Sequence, residues 1–187
     1  MADNNKKVHL NHKAYSSDMS VIEHSKEILA ENLTICEDWS LSVDLKLPNR
    51  STTEWRSIFS LYVDKNNSIN TGQLDQRMLA VSIRPDQSNV IVVITYDIGT
   101  NLKYMYNTTK KVNEGNWISL KISQTGGLYE IKVDYELVYH KDKFLPKPWT
   151  NVKLVSGVSH DKKNIPTIVH YRDFNIKTYK TKGKRTN

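Results

Sequence analysis

The 187-residue chain contains a single cysteine, so no disulfide can close within it. Stability must come from a packed core. That is compatible with a reducing compartment and with a secreted sandwich that needs no staple. Cys36 lies between Ile35 and Glu37 without a histidine close by in sequence, the setting of a structural thiol more than of a nucleophile. No run of about 18 apolar residues occurs, which argues against a transmembrane helix. The opening residues, MADNNKKVHL, lack the apolar stretch of a secretory leader. Either the chain is leaderless or a start methionine has replaced its leader. Acidic residues are missing from 177–187, where Lys177, Lys180, Lys182, Lys184 and Arg185 supply five of the seven net positive charges. Only +2 is left for the rest, so the basic balance describes a tail and not a folded face. Such a tail can touch phosphate or acidic lipid, or be a plain solvated end, and nucleic acid is not the expected partner.

What the chain has is alternation. In Trp39–Leu47, WSLSVDLKL, Leu41, Val43, Leu45 and Leu47 point one way and Ser40, Ser42, Asp44 and Lys46 the other, which predicts a half-buried strand. Further strands are predicted over 55–64, 78–84 (stopped by Pro85), 102–107, 151–157 and 170–177. Val90–Tyr96 is nearly all apolar, as in a strand covered on both faces. Residues 21–31 hold an amphipathic piece, an edge strand or one helical turn. About ten or eleven strands result, with turn signals every 8 to 12 residues, the spacing of an all-β sandwich. Three parts are expected: a polar, disordered lead over 1–20, a sandwich domain over 21–178 and a basic tail over 179–187. His9 and His12 in the lead lack the further ligands of a metal site.

The clearest segment is Asn116–Tyr139, NWISLKISQTGGLYEIKVDYELVY. Ile118, Leu120 and Ile122 alternate with polar residues, Gly126-Gly127 reverses the chain, and Tyr129, Ile131 and Val133 return on the same face. Leu137-Val138-Tyr139 begins a third strand after Asp134-Tyr135-Glu136. This segment resembles the centre of a laminin G-like or concanavalin A-like jelly-roll domain. The resemblance spans roughly residues 36–178 and rests also on EWRSIFSL, NVKLVSG and YRDFNI. It implies a jelly-roll antiparallel β-sandwich. The family usually turns on Asp-Gly at the position of Asp134-Tyr135. A type I′ turn would need positive φ at a tyrosine, which is costly. Either the turn type differs or Tyr135 is held by packing.

These motifs are framework features and say little about ligand. Glu130, Asp134 and Glu136 resemble the acid series of jelly-roll glucanases, but their spacing, E-I-K-V-D-Y-E, fits a wet strand face and a turn better than a catalytic pair. Neither the strand motifs of alginate-lyase-like jelly rolls nor a galectin sugar site is present. The laminin G-like resemblance implies a rim calcium ion, for which Asp64, Asp86 and Asp97 stand at predicted strand ends. Four tryptophans could stack on sugars. Trp55 and Trp117 match the framework, whereas Trp149, in a proline-braced loop, and the pair Tyr104 and Tyr106 are the ligand candidates, with Arg84 as a hydrogen-bond donor. Sequons at Asn32, Asn49, Asn66 and Asn107 decide nothing about secretion, because chance gives about three at this composition. The expected function is non-catalytic recognition of a glycan or protein receptor at the concave face or loop rim, in extracellular adhesion or attachment. A cytoplasmic location stays open. So do a glycan-active hydrolase or lyase and a purely structural interaction domain.

Overall fold

The computed structural model describes residues 8–9, 28–46, 55–63, 77–84, 87–97, 102–107, 115–144, 148–156, 165–166 and 169–179. At 8–9, 56, 77, 87–90, 96–97, 102–107 and 165–166 it describes the backbone alone. The chain is an all-β jelly-roll sandwich. One sheet runs in the order β1 (Val8–His9), β13 (His170–Tyr179), β3 (Asp38–Lys46), β8 (Trp117–Thr125), β9 (Leu128–Val133) and β10 (Glu136–Lys141). The other runs β2 (Ile28–Ile35), β11 (Trp149–Ser156), β4 (Arg56–Val63), β5 (Arg77–Arg84), β6 (Gln87–Asp97) and β7 (Leu102–Asn107). Pairing is antiparallel except for β12 (Ile165–Pro166), which lies parallel to β4. Among the described residues there is no helix, and hence none long and apolar enough to cross a membrane.

The period-two strands pair where their apolar faces coincide. β3 and β8 keep an unbroken register from Trp39↔Gln124 to Lys46↔Trp117. That register puts Leu41, Val43 and Leu45 beside Ile122, Leu120 and Ile118 on one buried face. A slip of one residue would turn every one of these side chains to water, so the pattern specifies the register. β9 adds Tyr129, Ile131 and Val133 to the same face, all fully buried. Each such side chain contributes about 1.5–3 kcal/mol of burial. The second sheet closes the core with Ile58, Leu61, Leu79, Val81, Ile91 and Val93.

Over β4, β5 and β6 the outer face of the second sheet is buried too. Ser60 and Ala80 are register partners at 2% and 0% exposure, and Val92 and Val155 are both at 0%. The apolar run in β6 is therefore covered on both sides, as its composition predicts. The open sheet face is that of β13, β3, β8 and β9, where serines, lysines and acids alternate with the core residues.

Two boundaries differ from expectation. Val8 and His9, placed by composition in a disordered lead, pair with Ile176 and Asn175 of β13. The amphipathic segment expected at 21–31 is a strand that begins at Ile28 and runs on to Ile35. His12, the loops beyond β4 and β11, and the basic tail past Tyr179 lie outside the described residues.

Candidate functional site

The site begins at a turn. Val133 pairs with Glu136, leaving Asp134 and Tyr135 as a two-residue loop with φ of 49° and 67°. Positive φ at both central positions is the type I′ hairpin geometry. Aspartate tolerates the left-handed region, and here its side chain is also used: Asp134 Oδ1 accepts from the Ser119 N–H at 3.0 Å, while the Asp134 N–H donates to the Ser119 carbonyl at 2.8 Å. Tyrosine has no such excuse, and a left-handed conformation costs it about 1–2 kcal/mol. Nor is it held by packing, since Tyr135 is 88% exposed. Neither resolution offered by the sequence applies: the turn type is retained and the tyrosine is in water. Strain kept in place around an exposed aromatic is a reason to look for a ligand there.

Tyr135 stands at the edge of a pocket of about 350 Å³ on the open face of the first sheet. β3 contributes Ser42, Val43 and Asp44 to its lining, β8 contributes Ser119 and Lys121, and β9 contributes Lys132. The far wall is Asp173 of β13. A register shift between Arg172 and Asn175 and a φ of 53° at Asp173 mark a bulge, which re-aims that carboxylate relative to its strand.

Charges in the pocket are ordered. On the β13 side, the Arg172 guanidinium donates to Asp44 Oδ2 at 3.0 Å and lies over the Trp117 ring at 4.3 Å. This pair closes that corner and half-buries Trp117. On the β9 side, Lys121 and Lys132 are direct register partners. Like charges placed so are destabilising. Lys132 is relieved by Glu130 at 3.3 Å, whereas Lys121 is exposed. Hydroxyls of Ser42 and Ser119 lie between the two ends. The surface thus offers an aromatic ring, hydroxyl groups, a carboxylate end and a cationic end. These can hold a polar, ring-shaped ligand by hydrogen bonds and stacking.

No protein-family model and no curated protein matches the chain. Solved structures do. The receptor binding domain of botulinum neurotoxin D shares 15% identity at a TM-score of 0.55, over 84% of this chain and 37% of that one. The botulinum neurotoxin serotype D ligand binding domain in complex with N-acetylneuraminic acid shares 15% identity at 0.57, over 83% and 38%. An endo-beta-1,4-glucuronan lyase from the fungus Trichoderma reesei shares 11% at 0.55, over 80% and 73%. The common element is a β-sandwich. At such identities the likeness is one of fold alone, and it does not place the chain in the laminin G-like or concanavalin A-like family. The chain spans less than two fifths of the length of these neurotoxin domains.

Of the residues nominated from sequence, the two whose side chains are described, Trp149 and Arg84, do not line this pocket. Trp149 is corrected: it begins β11 opposite Ile35, is 8% exposed and belongs to the core, so it is no surface anchor. The framework tryptophans are the less buried ones, for Trp55 and Trp117 are both half-buried. Arg84 ends β5, half-buried, on the other sheet. Tyr104 and Tyr106 register against Thr95 and Val93 at the second sheet's edge, but their side chains lie outside the described residues. So does the side chain of Asp97, and Asp64 and Asp86 lie outside altogether. Among the described residues no group of three or more acids, histidines and cysteine could hold a metal ion.

The acid series of the meander is dispersed. Glu130 pairs with Lys132, Asp134 fastens the turn to Ser119, and Glu136 opens β10 exposed to solvent. Cys36 is half-buried at the β2–β3 junction, and its N–H donates to Thr178 Oγ1 at 2.7 Å. The signal that could have marked the site was the tyrosine in a turn position that favours glycine.

Proposed function

We propose that this chain is a non-catalytic glycan-recognition module that binds at the Tyr135 pocket on the open face of the first sheet and acts outside the cell. The observation that carries this reading is Tyr135, an aromatic side chain 88% exposed at a strained turn beside a polar pocket. Its ring would stack on a sugar ring, while Ser42, Ser119 and Lys121 donate to hydroxyls and Asp173 accepts from them. The kinds of ligand named for the similar structures, N-acetylneuraminic acid and a glucuronan, agree with a sugar. Recognition fits better than catalysis because Asp44, one of the two acids lining the pocket, is engaged by Arg172.

A glycan array tests this, run with calcium and again with a chelator, on the native protein and on Tyr135→Ala. Binding that falls about tenfold in the variant is the expected result, from the loss of roughly 1.4 kcal/mol of stacking. Binding indifferent to Tyr135 would move the site elsewhere. Binding lost only with chelator would turn attention to Asp64, Asp86 and Asp97 as proposed calcium ligands. Cleaved oligosaccharide in the mixture would favour a glycan-active enzyme instead. If no glycan binds, the reading fails and a protein receptor becomes the partner to seek.

A further inference from the structure

The pocket is polarised, and its polarity selects a ligand. Following the sheet from one side to the other, the lining passes from Asp173 on β13 to Ser42 and Asp44 on β3, then to Ser119 and Lys121 on β8, then to Lys132 on β9. Adjacent strands lie about 4.8 Å apart, so β13 and β9 are separated by about 14 Å, enough for two to three sugar rings laid across the strands. The acidic end is partly neutralised, because Arg172 occupies Asp44. The basic end is not. Lys121 and Lys132 face each other in register, and Glu130 serves only Lys132. Among the described residues no acid forms an ion pair with Lys121.

A like-charged pair directly across two strands costs stability unless something negative sits beside it. The same face also carries Lys46 and Asp134, but Lys121 and Lys132 are the two lysines lining the pocket beside the exposed ring of Tyr135. We infer that the pocket takes an acidic sugar, with the anionic group at Lys121 and Lys132, one ring against Tyr135 and the hydroxyls of the next unit toward Ser42 and Asp173. This rests on the glycan reading above and specifies its ligand class. The anion is a carboxylate, as on a uronic acid, or a sulfate; both present oxygens that two ammonium groups can share.

Three probes of equal length separate the possibilities: a glucuronic-acid tetrasaccharide, its carboxyl-reduced neutral counterpart and a sulfated neutral counterpart. Binding to the intact protein is measured by calorimetry at 50 and 200 mM salt. The expected result is at least tenfold preference for one anionic probe over the neutral one, weakening as salt rises. Lys121→Gln should remove most of that preference, and Lys121→Glu should reverse it, with the neutral probe weakened far less than the anionic one because it loses one hydroxyl contact and no charge pairing. The melting temperature of both variants should stay level or rise, since a repulsion is relieved, which excludes misfolding as the cause. Whichever anionic probe is preferred identifies carboxylate or sulfate. Equal affinity for neutral and anionic probes, or an equal loss for both in Lys121→Gln, overturns the acidic-sugar inference and leaves glycan recognition standing. Failure of all three probes to bind overturns both.

Discussion

Replacing Tyr135 by glycine should stabilise this protein while weakening its binding. The residue occupies the second central position of a type I′ turn at φ 67°, where a side chain carries a penalty of about 1–2 kcal/mol and glycine carries none. At 88% exposure the ring returns almost no burial energy to the fold. Glycine gives back part of the gain through its looser unfolded chain, about 0.5–1 kcal/mol. The net stabilisation is therefore about 0.5–1 kcal/mol. For a domain of this size that raises the melting temperature by about 1–4 °C, and the urea midpoint moves with it. The turn's other ties stay in place, because both bonds between Asp134 and Ser119 belong to the neighbouring residue. Thermal and urea unfolding of the native protein, Tyr135→Gly and Tyr135→Ala provide the check. Alanine serves as the control, since it removes the ring but keeps the Cβ penalty, and it should leave stability unchanged within about 0.5 kcal/mol. A loss of more than about 0.5 kcal/mol in Tyr135→Gly would refute the reasoning, because the tyrosine would then be contributing packing. Stability gained as sugar binding is lost would place Tyr135 among residues retained for function at the expense of the fold.

Other substitutions examine the rest of the framework. Trp149→Ala should cost about 3–5 kcal/mol, as a truncated core aromatic does, and far more than any surface anchor would; denaturant titration decides between the two. Gly126→Ala meets no atom within 4 Å, so its cost of about 1 kcal/mol should come from the φ of 58° alone, read from the same titration. Burial raises the pKa of Tyr129 well above the ordinary tyrosine value of 10. The native state then keeps a proton that the unfolded chain releases above about pH 10. The stability this group contributes is whole below that pH and falls by about 1.4 kcal/mol per pH unit above it. Unfolding from pH 9 to 11 should show that slope, and Tyr129→Phe should remove it.

Strand positions were legible because period-two patterns are local: β3, β8 and β9 needed no partner to announce which face was apolar. The double covering of β6 was legible for the same reason. The start of β2 and the pairing of Val8-His9 were not. Val8-His9 is too short to show a period, and Ile28-Leu29-Ala30 is apolar without alternation, so it is an available edge on β13 or β11 that makes strands of them. Trp149 misled because aromatic-plus-proline composition describes a rigid approach to a strand as well as it describes an exposed loop.

The site was harder to read than the fold. Sequence alone flagged Tyr135 as anomalous in a turn that wants glycine, and it determined the alternation that sends Ser42, Asp44, Lys121 and Lys132 to one side of their strands. Which strands become neighbours is a matter of long-range pairing. Tertiary structure therefore decided that Lys121 faces Lys132 across 11 residues, that a bulge carries Asp173 to a pocket shared with β3 residues about 130 positions away, and that the outer face over β4, β5 and β6 is buried. Local periodicity fixes the face of a side chain; only the closure of the sandwich gives that face its company.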